Sequence, residues 1–187
     1  AEGLRAASPD SPLGHFYDGV VLEAGGRMPE AEAAYRKSLE LNPAALEPMR
    51  ALANLLVRSG RAAAAVAAYE GFAARNPQRV EPLLAKGEIL LGQRRFPEAE
   101  KAFRSALELT PGSWLAYRGL AFAAAGRGDD RAAESVLVEA IGKTDQPQAL
   151  RADLAELYAR TNRVDRAMSL YEQIIVEAPQ LRAAKGK

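Results

Sequence analysis

A proline recurs every 34 residues through almost the whole chain. The series consists of Pro9, Pro43, Pro77, Pro111 and Pro179, and one slot, at Asp145, lacks its proline. Proline is disfavoured inside a helix, and it also disfavours helical dihedral angles in the residue before it. A fixed period of this length is typical of repeat proteins, in which each unit packs mainly against its neighbours.

Three further columns of residues follow the same period. An alanine recurs, a small residue lies twelve positions before it, and a large residue lies four positions after it. Since small residues let two helices approach to about 8 Å, we expect the small columns to form the contacts between helices. We expect the large residues to fill the space toward the neighbouring unit. The columns are Ala31, Ala65, Ala99, Ala133 and Ala167; Gly19, Ala53, Gly87, Ala121 and Ala155; and Tyr35, Tyr69, Phe103, Leu137 and Tyr171.

Each 34-residue unit predicts two amphipathic helices joined by a short turn. In the second unit an apolar stripe at helical spacing begins at Met49 and ends at Leu56. Gly60 then suits the left-handed position that follows a helix. In the fourth unit a glycine-rich turn precedes Asp129 and Asp130, and one of these aspartates is expected to cap the next helix.

These columns resemble the tetratricopeptide repeat (TPR) family, whose pattern has a small residue in the first helix, then alanine and an aromatic in the second, and a terminal proline. The resemblance implies an all-α fold, a right-handed α-solenoid of stacked helix-turn-helix repeats. We place five complete repeats at 12–45, 46–79, 80–113, 114–147 and 148–181. Residues 1–11 match the end of a preceding repeat and 182–187 a truncated following helix, which suggests a fragment of a longer protein.

Composition argues against most kinds of chemistry. The chain has no cysteine, a single histidine at His15, and nearly balanced charge, with 25 Lys and Arg against 24 Asp and Glu. Balanced charge disfavours nucleic acid as a partner, and the sequence has no apolar run long enough for direct membrane insertion. The acidic pairs Asp129–Asp130 and Glu98–Glu100 fall at expected helix starts, where capping and solvation explain them. We therefore expect no enzymatic activity, no metal site and no cofactor.

The resemblance implies that the first helices of the repeats line a concave face. Its exposed stripe uses unit positions 2, 5, 9, 12 and 13, counted from the start of each repeat. For any single residue of this stripe, a merely solvated helix face stays an open alternative. The candidate partner-binding residues are Arg50, Asn54, Arg58, Leu84, Glu88, Leu91, Leu115, Arg118, Phe122, Glu156 and Arg160.

Three functions fit this pattern. The leading one is a non-enzymatic scaffold that binds a peptide or protein partner on the concave face. The second is self-assembly into a homo-oligomer through the repeat ends. The third is an accessory repeat domain of an attached enzyme or of an envelope export or biogenesis apparatus. Arginine outnumbers lysine about three to one, which is typical of a G+C-rich bacterial genome, and the compartment stays open between cytoplasm and periplasm.

Overall fold

The computed structural model describes residues 11–184, and the side chains of residues 11–177. This part of the chain contains helices and no strand, so the predicted all-α helical repeat fold is confirmed. None of the helices between residues 11 and 184 is both long and apolar enough to span a lipid bilayer. The helices are α1 (Pro12–Ala24), α2 (Met28–Leu41), α3 (Leu46–Arg58), α4 (Ala62–Arg75), α5 (Glu81–Gly92), α6 (Phe96–Leu109), α7 (Trp114–Gly126), α8 (Asp130–Ile141), α9 (Pro147–Arg160) and α10 (Val164–Ala184).

Within each helix pair, one backbone position of the connecting turn adopts a left-handed conformation. The sequence predicts this conformation for Gly60, and the structure has it at the same unit position in all five repeats. Glycine adopts a positive φ without steric cost, and asparagine tolerates it better than most residues. The φ angles are 76° at Gly26, 73° at Gly60, 59° at Arg94, 82° at Gly128 and 60° at Asn162.

The two aspartates after the glycine-rich turn have different roles. Asp129 is the N-cap of α8, and its side chain accepts a hydrogen bond of 3.0 Å from the backbone N–H of Ala132. Asp130 is the first residue of the helix and forms an ion pair of 2.5 Å with Arg160. The structure therefore assigns the cap to the first of the two candidates.

The chain divides into two compact parts, which we call unit 1 (residues 1–89) and unit 2 (residues 90–187). Each contains more than one 34-residue repeat, and "unit position" continues to mean a position counted within a repeat. The core of each unit contains members of the alanine column and of the large column four positions later. In unit 1 the buried cluster includes Ala31, Tyr35, Ala65 and Tyr69. In unit 2 it includes Ala133 and Leu137, with the buried Phe103 and Ala99 in the same unit.

The rings of the large column lie directly on glycines of the first helices. A methyl group added at Gly19 would lie 2.4 Å from Tyr35 Cε1, within the same repeat. A methyl group added at Gly119 would lie 2.3 Å from Phe103 Cζ, in the preceding repeat. Both distances are far shorter than a carbon–carbon contact of about 3.5–4.0 Å allows. Glycine is therefore required at these two positions because an aromatic ring occupies the space of a side chain. Gly19 belongs to the predicted small column, whereas Gly119 lies outside it.

The C-terminal end of the repeat series differs from the sequence prediction. We expected a break at Pro179 and a new helix over 182–187, but α10 continues to Ala184, and 185–187 lie outside the described residues. Ala178 precedes this proline, whereas Asn42, Asn76 and Thr110 end the corresponding helices of repeats 1 to 3. The predicted remnant at 1–11 lies almost entirely outside the described residues.

The outer face of α10 is uncovered in this structure. Tyr171 is 43% exposed, whereas Tyr35, Tyr69, Phe103 and Leu137 at the same unit position are 1–4% exposed. Three further apolar residues on α10, Val164, Met168 and Ile175, are exposed with it.

A glutamate that is largely shielded from solvent links neighbouring repeats at two equivalent places. Glu32 accepts hydrogen bonds from Arg61 of the next repeat, the shorter of which is 2.5 Å, and Glu134 accepts one of 2.5 Å from Arg163. These residues occupy the same two unit positions in their repeats. The hydrogen bond from the arginine holds the pKa of each carboxyl below its usual value, against the opposing effect of burial.

We expect Glu32→Gln to lower the free energy of unfolding by about 1 kcal/mol at neutral pH, because a charge-assisted hydrogen bond is lost. The pKa of Glu32 is lowered on folding from 4.5, so its stabilisation is present above that value and is lost as the pH falls through the folded pKa. Urea denaturation should show the difference between wild type and variant shrinking at acid pH. Glu40→Gln, which removes an exposed carboxylate from the same helix, is the control. An equal loss at acid and neutral pH would contradict this role of the charge.

Candidate functional site

In unit 1 an open cavity of about 620 Å³ lies between α1 and α3, above α2. Two residues of the predicted stripe, Asn54 and Arg58, line it. Arg58 forms an ion pair with Glu23, and the Tyr35 hydroxyl donates a hydrogen bond of 2.6 Å to the other oxygen of that carboxylate. The remaining lining is mainly apolar: Val20, Ala24, Met28, Ala51 and Val57.

Sequence reasoning missed the contribution of the first repeat to this cavity. Val20, Glu23 and Ala24 stand at unit positions 9, 12 and 13, the same positions that predict the stripe in the later repeats. The register alone is a sufficient signal to find these three residues.

Two other predicted residues in unit 1, Arg50 and Glu88, both affect the pKa of Tyr69. Burial raises the pKa of the Tyr69 hydroxyl, the positive charge of Arg50 lowers it, and the negative charge of Glu88 raises it. Arg50 and Glu88 are exposed, and Leu84 is half-buried on α5. None of these three predicted residues lines the 620 Å³ cavity.

A second cavity in unit 1, of about 510 Å³, is lined by none of the predicted residues. Its lining includes Phe16, Tyr17, Ser38, Glu47 and Arg79. The Ser38 hydroxyl donates a hydrogen bond of 2.7 Å to the carbonyl oxygen of Pro12 at its edge.

In unit 2 a smaller cavity, of about 180 Å³, lies between α7 and α9, above α8. Three residues of the predicted stripe, Phe122, Glu156 and Arg160, line it. The other lining residues are Ala121, Ala125, Ala133, Leu137, Asp153 and Leu157. The cavity is therefore apolar in its walls and charged at three positions.

A fourth predicted residue, Arg118, is held beside this cavity by two contacts. Its Nε donates a hydrogen bond of 2.9 Å to Asp153 Oδ2, and its guanidinium carbon lies 4.9 Å from the centre of the Phe122 ring. The Arg118 side chain is still 42% exposed, whereas that of Asp153 is 7% exposed. Burial raises the pKa of the Asp153 carboxyl, and the charge and hydrogen bond of Arg118 oppose this rise.

The other two charged residues that line this cavity differ in their ion pairing. Arg160 is paired with Asp130 at 2.5 Å. Glu156 is exposed and makes no ion pair with any residue in the described part of the chain. The remaining predicted residues of unit 2, Leu91 and Leu115, do not line the cavity; Leu91 is half-buried and Leu115 exposed.

Two aromatic–glycine contacts are replaced between the successive junctions of unit 2. Where repeat 3 meets repeat 4, Phe103 packs on Gly119 and Phe96 packs on Gly126. The residues 34 positions later are Leu137 with Asp153, which share the cavity lining, and Asp130 with Arg160, which form the ion pair. Two aromatic–glycine contacts have thus become one aliphatic–acid pair, which lines the cavity, and one ion pair beside it. Reading the sequence columns in pairs would have revealed Asp153 and Asp130.

This repeated arrangement of helix pairs defines a helical repeat protein. A model of the tetratricopeptide repeat matches residues 1–45, 50–113 and 84–133, and a second model of that repeat matches residues 149–183. These matches cover most of the chain, which therefore belongs to the tetratricopeptide repeat family. No curated protein matches the sequence.

Solved structures agree on the fold. A thermophilic TPR protein from Thermus thermophilus is 22% identical, with a TM-score of 0.65 over 94% of this chain and 98% of its own. A TPR protein from Parabacteroides merdae is 23% identical, with a TM-score of 0.70 over 94% of this chain and 70% of its own. MamA from Desulfovibrio magneticus RS-1 is 16% identical, with a TM-score of 0.67 over 91% of this chain and 97% of its own. At these identities the likeness shows the fold alone.

Proposed function

We propose that the chain is a non-enzymatic scaffold that binds a peptide segment of a partner protein through side chains on the first helices of its repeats. TPR repeats serve generally as protein-interaction modules, and this proposal assigns the binding surface of this chain. It involves no reaction and no cofactor.

The observation that carries the proposal is the presence of cavities at equivalent unit positions in both units. Asn54 and Arg58 line one, and Glu156 and Arg160, which occupy the same two unit positions three repeats later, line the other. Each arginine is fixed by a carboxylate of the preceding repeat, Glu23 or Asp130. Groups fixed before a partner arrives lose less conformational entropy on binding, which favours affinity.

The lining also suits a peptide. Phe122 and Val20 offer apolar surface at the mouths of the cavities, and Asn54 offers an amide that can both donate to and accept from a peptide backbone. Aromatic and arginine side chains are enriched among the residues that dominate binding energy. Arg118, stacked on Phe122 and still exposed, has this character.

We expect Phe122→Ala to weaken peptide binding at the unit 2 cavity about tenfold, because a central aromatic contact is removed. The measurement is a selection of random displayed peptides on the immobilised chain, followed by fluorescence anisotropy with the peptides that bind. Asn54→Ala should have the corresponding effect on peptides that use the unit 1 cavity.

Val138→Ala is the matched control, since Val138 is an exposed apolar residue on α8 that does not line the cavity. It should leave every affinity unchanged. If the selected peptides bind Phe122→Ala and Asn54→Ala as tightly as wild type, this surface is not the peptide-binding site. A failure to select any peptide would count against peptide binding itself.

A further inference from the structure

The size of the cavity between α7 and α9 limits what can enter it. Small-molecule sites usually enclose about 300–1,000 Å³. This cavity holds about 180 Å³, so it suits a single amino-acid side chain rather than a cofactor. An inference about its occupant rests on the proposed peptide-binding function.

The lining is divided between apolar and charged residues. Ala121, Ala125, Leu137 and Leu157 offer only apolar side chains, while Asp153, Glu156 and Arg160 carry the charges. Long basic side chains match such a lining, because their aliphatic stems pack on apolar surface while the charged head stays in a polar region. A purely aliphatic side chain would pack against the apolar residues but would make no ion pair with the charged ones.

The balance of charge favours a cation. Asp153 is paired with Arg118, and Asp130 with Arg160, which leaves the charge of Glu156 uncompensated within the described residues. Glu156 also lies close enough to Asp153 for the two negative charges to repel each other. A positive group between them would relieve that repulsion, whereas an acidic side chain would increase it.

The corresponding cavity of unit 1 lacks this feature. Its residues at the unit positions of Asp153 and Glu156 are Ala51 and Asn54, both neutral. The carboxylate that it does contain, Glu23, is already paired with Arg58. A preference for a basic residue is therefore specific to the cavity of unit 2.

We propose that the cavity between α7 and α9 binds the side chain of a lysine or arginine of the partner peptide. The aliphatic stem packs against Phe122 and Leu157, and the cationic head lies at the mouth, paired with Glu156. The chain thereby selects peptides with a basic residue at one fixed position.

The test begins with random displayed peptides selected on the immobilised 187-residue chain. For a tight-binding peptide whose affinity depends on Phe122, each lysine or arginine is replaced in turn by norleucine, which keeps an aliphatic stem without its charge. We expect one replacement to weaken binding to wild type about fivefold. With Glu156→Gln the same replacement should change affinity less than about twofold.

Glu108→Gln is the matched control. Glu108 is an exposed glutamate on α6 of the same unit, outside the predicted stripe, and it does not line this cavity. This variant should keep the full discrimination seen with wild type. A second variant, Ala125→Leu, fills the cavity from its wall while retaining Glu156, and it should abolish the discrimination as well.

Failure of this inference is distinct from failure of the proposed function. If peptides bind through Phe122 but tolerate norleucine at every basic position, or if Glu156→Gln keeps the discrimination, the basic pocket is refuted and the scaffold stands. If no peptide binds, or none depends on Phe122, both ideas fail for this cavity.

Discussion

Gly119→Ala is expected to lower the free energy of unfolding by about 2 kcal/mol, even though alanine is the better helix former. The added methyl group would lie 2.3–2.5 Å from three ring atoms of Phe103. Phe103 is 1% exposed and has no free space into which to move, so the helices must separate or the ring must leave its preferred rotamer. Urea denaturation followed by circular dichroism measures the change.

Gly71→Ala is the matched control, because Gly71 lies inside α4 and a methyl group there would meet no atom within 4 Å. It should raise the free energy of unfolding by up to about 1 kcal/mol, the ordinary helix-propensity gain. Gly119→Ala combined with Phe103→Leu should recover most of the loss, since the smaller side chain makes room for the methyl group. Equal effects of the two glycine substitutions would show that the ring does not impose glycine.

The sequence predicts the small residue at Gly19, because it belongs to a column that recurs every 34 residues. It does not predict the glycine at Gly119, which lies outside that column. The turns leave a periodic trace too, as Gly26, Gly60 and Gly128 hold positive φ angles. Arg94 and Asn162 hold the same conformation without glycine, so the repeat register, rather than residue type, identifies them.

The candidate site was predictable only in part, for a physical reason. The stripe rule places Phe122, Glu156 and Arg160 on exposed helix positions, and the structure gathers them around one cavity. It could not give the cavity itself, which depends on what is missing between helices. Asp153 was missed because unit position 6 lies outside the predicted stripe, although its charged side chain is only 7% exposed and lines the cavity.

The continuation of α10 shows a different limit. Pro179 fits the 34-residue period, yet the helix does not end there. Proline removes one backbone hydrogen bond, but a helix can continue beyond it in a distorted form. The turn at the earlier repeats depends also on the residue before the proline, and Ala178 favours a helix where Asn42 and Asn76 favour its end.

Leu137→Phe combined with Asp153→Gly is expected to raise the free energy of unfolding by about 1 kcal/mol and to abolish peptide binding at the unit 2 cavity. The pair restores the pattern of the preceding junction, where the Phe103 ring packs on Gly119 at the same two unit positions. The ring would fill the 180 Å³ space, and the buried carboxylate, whose pKa is raised by burial, would be gone. Arg118 would lose its partner but keeps its exposure to water.

The single substitutions separate the causes of this effect. Leu137→Phe alone should destabilise the unit by about 1–3 kcal/mol, because the ring meets the Asp153 side chain. Asp153→Gly alone should enlarge the cavity and lower the free energy of unfolding by about 1 kcal/mol, the cost of glycine inside a helix, since removal of a costly buried charge offsets the lost ion pair. The two changes should therefore be strongly coupled in a double-mutant cycle measured by urea denaturation. If stability rises in the double variant while Phe122-dependent peptide binding is lost, the cavity is a feature retained at the expense of stability, as expected of a binding site. Additive effects, or binding that survives, would contradict that interpretation.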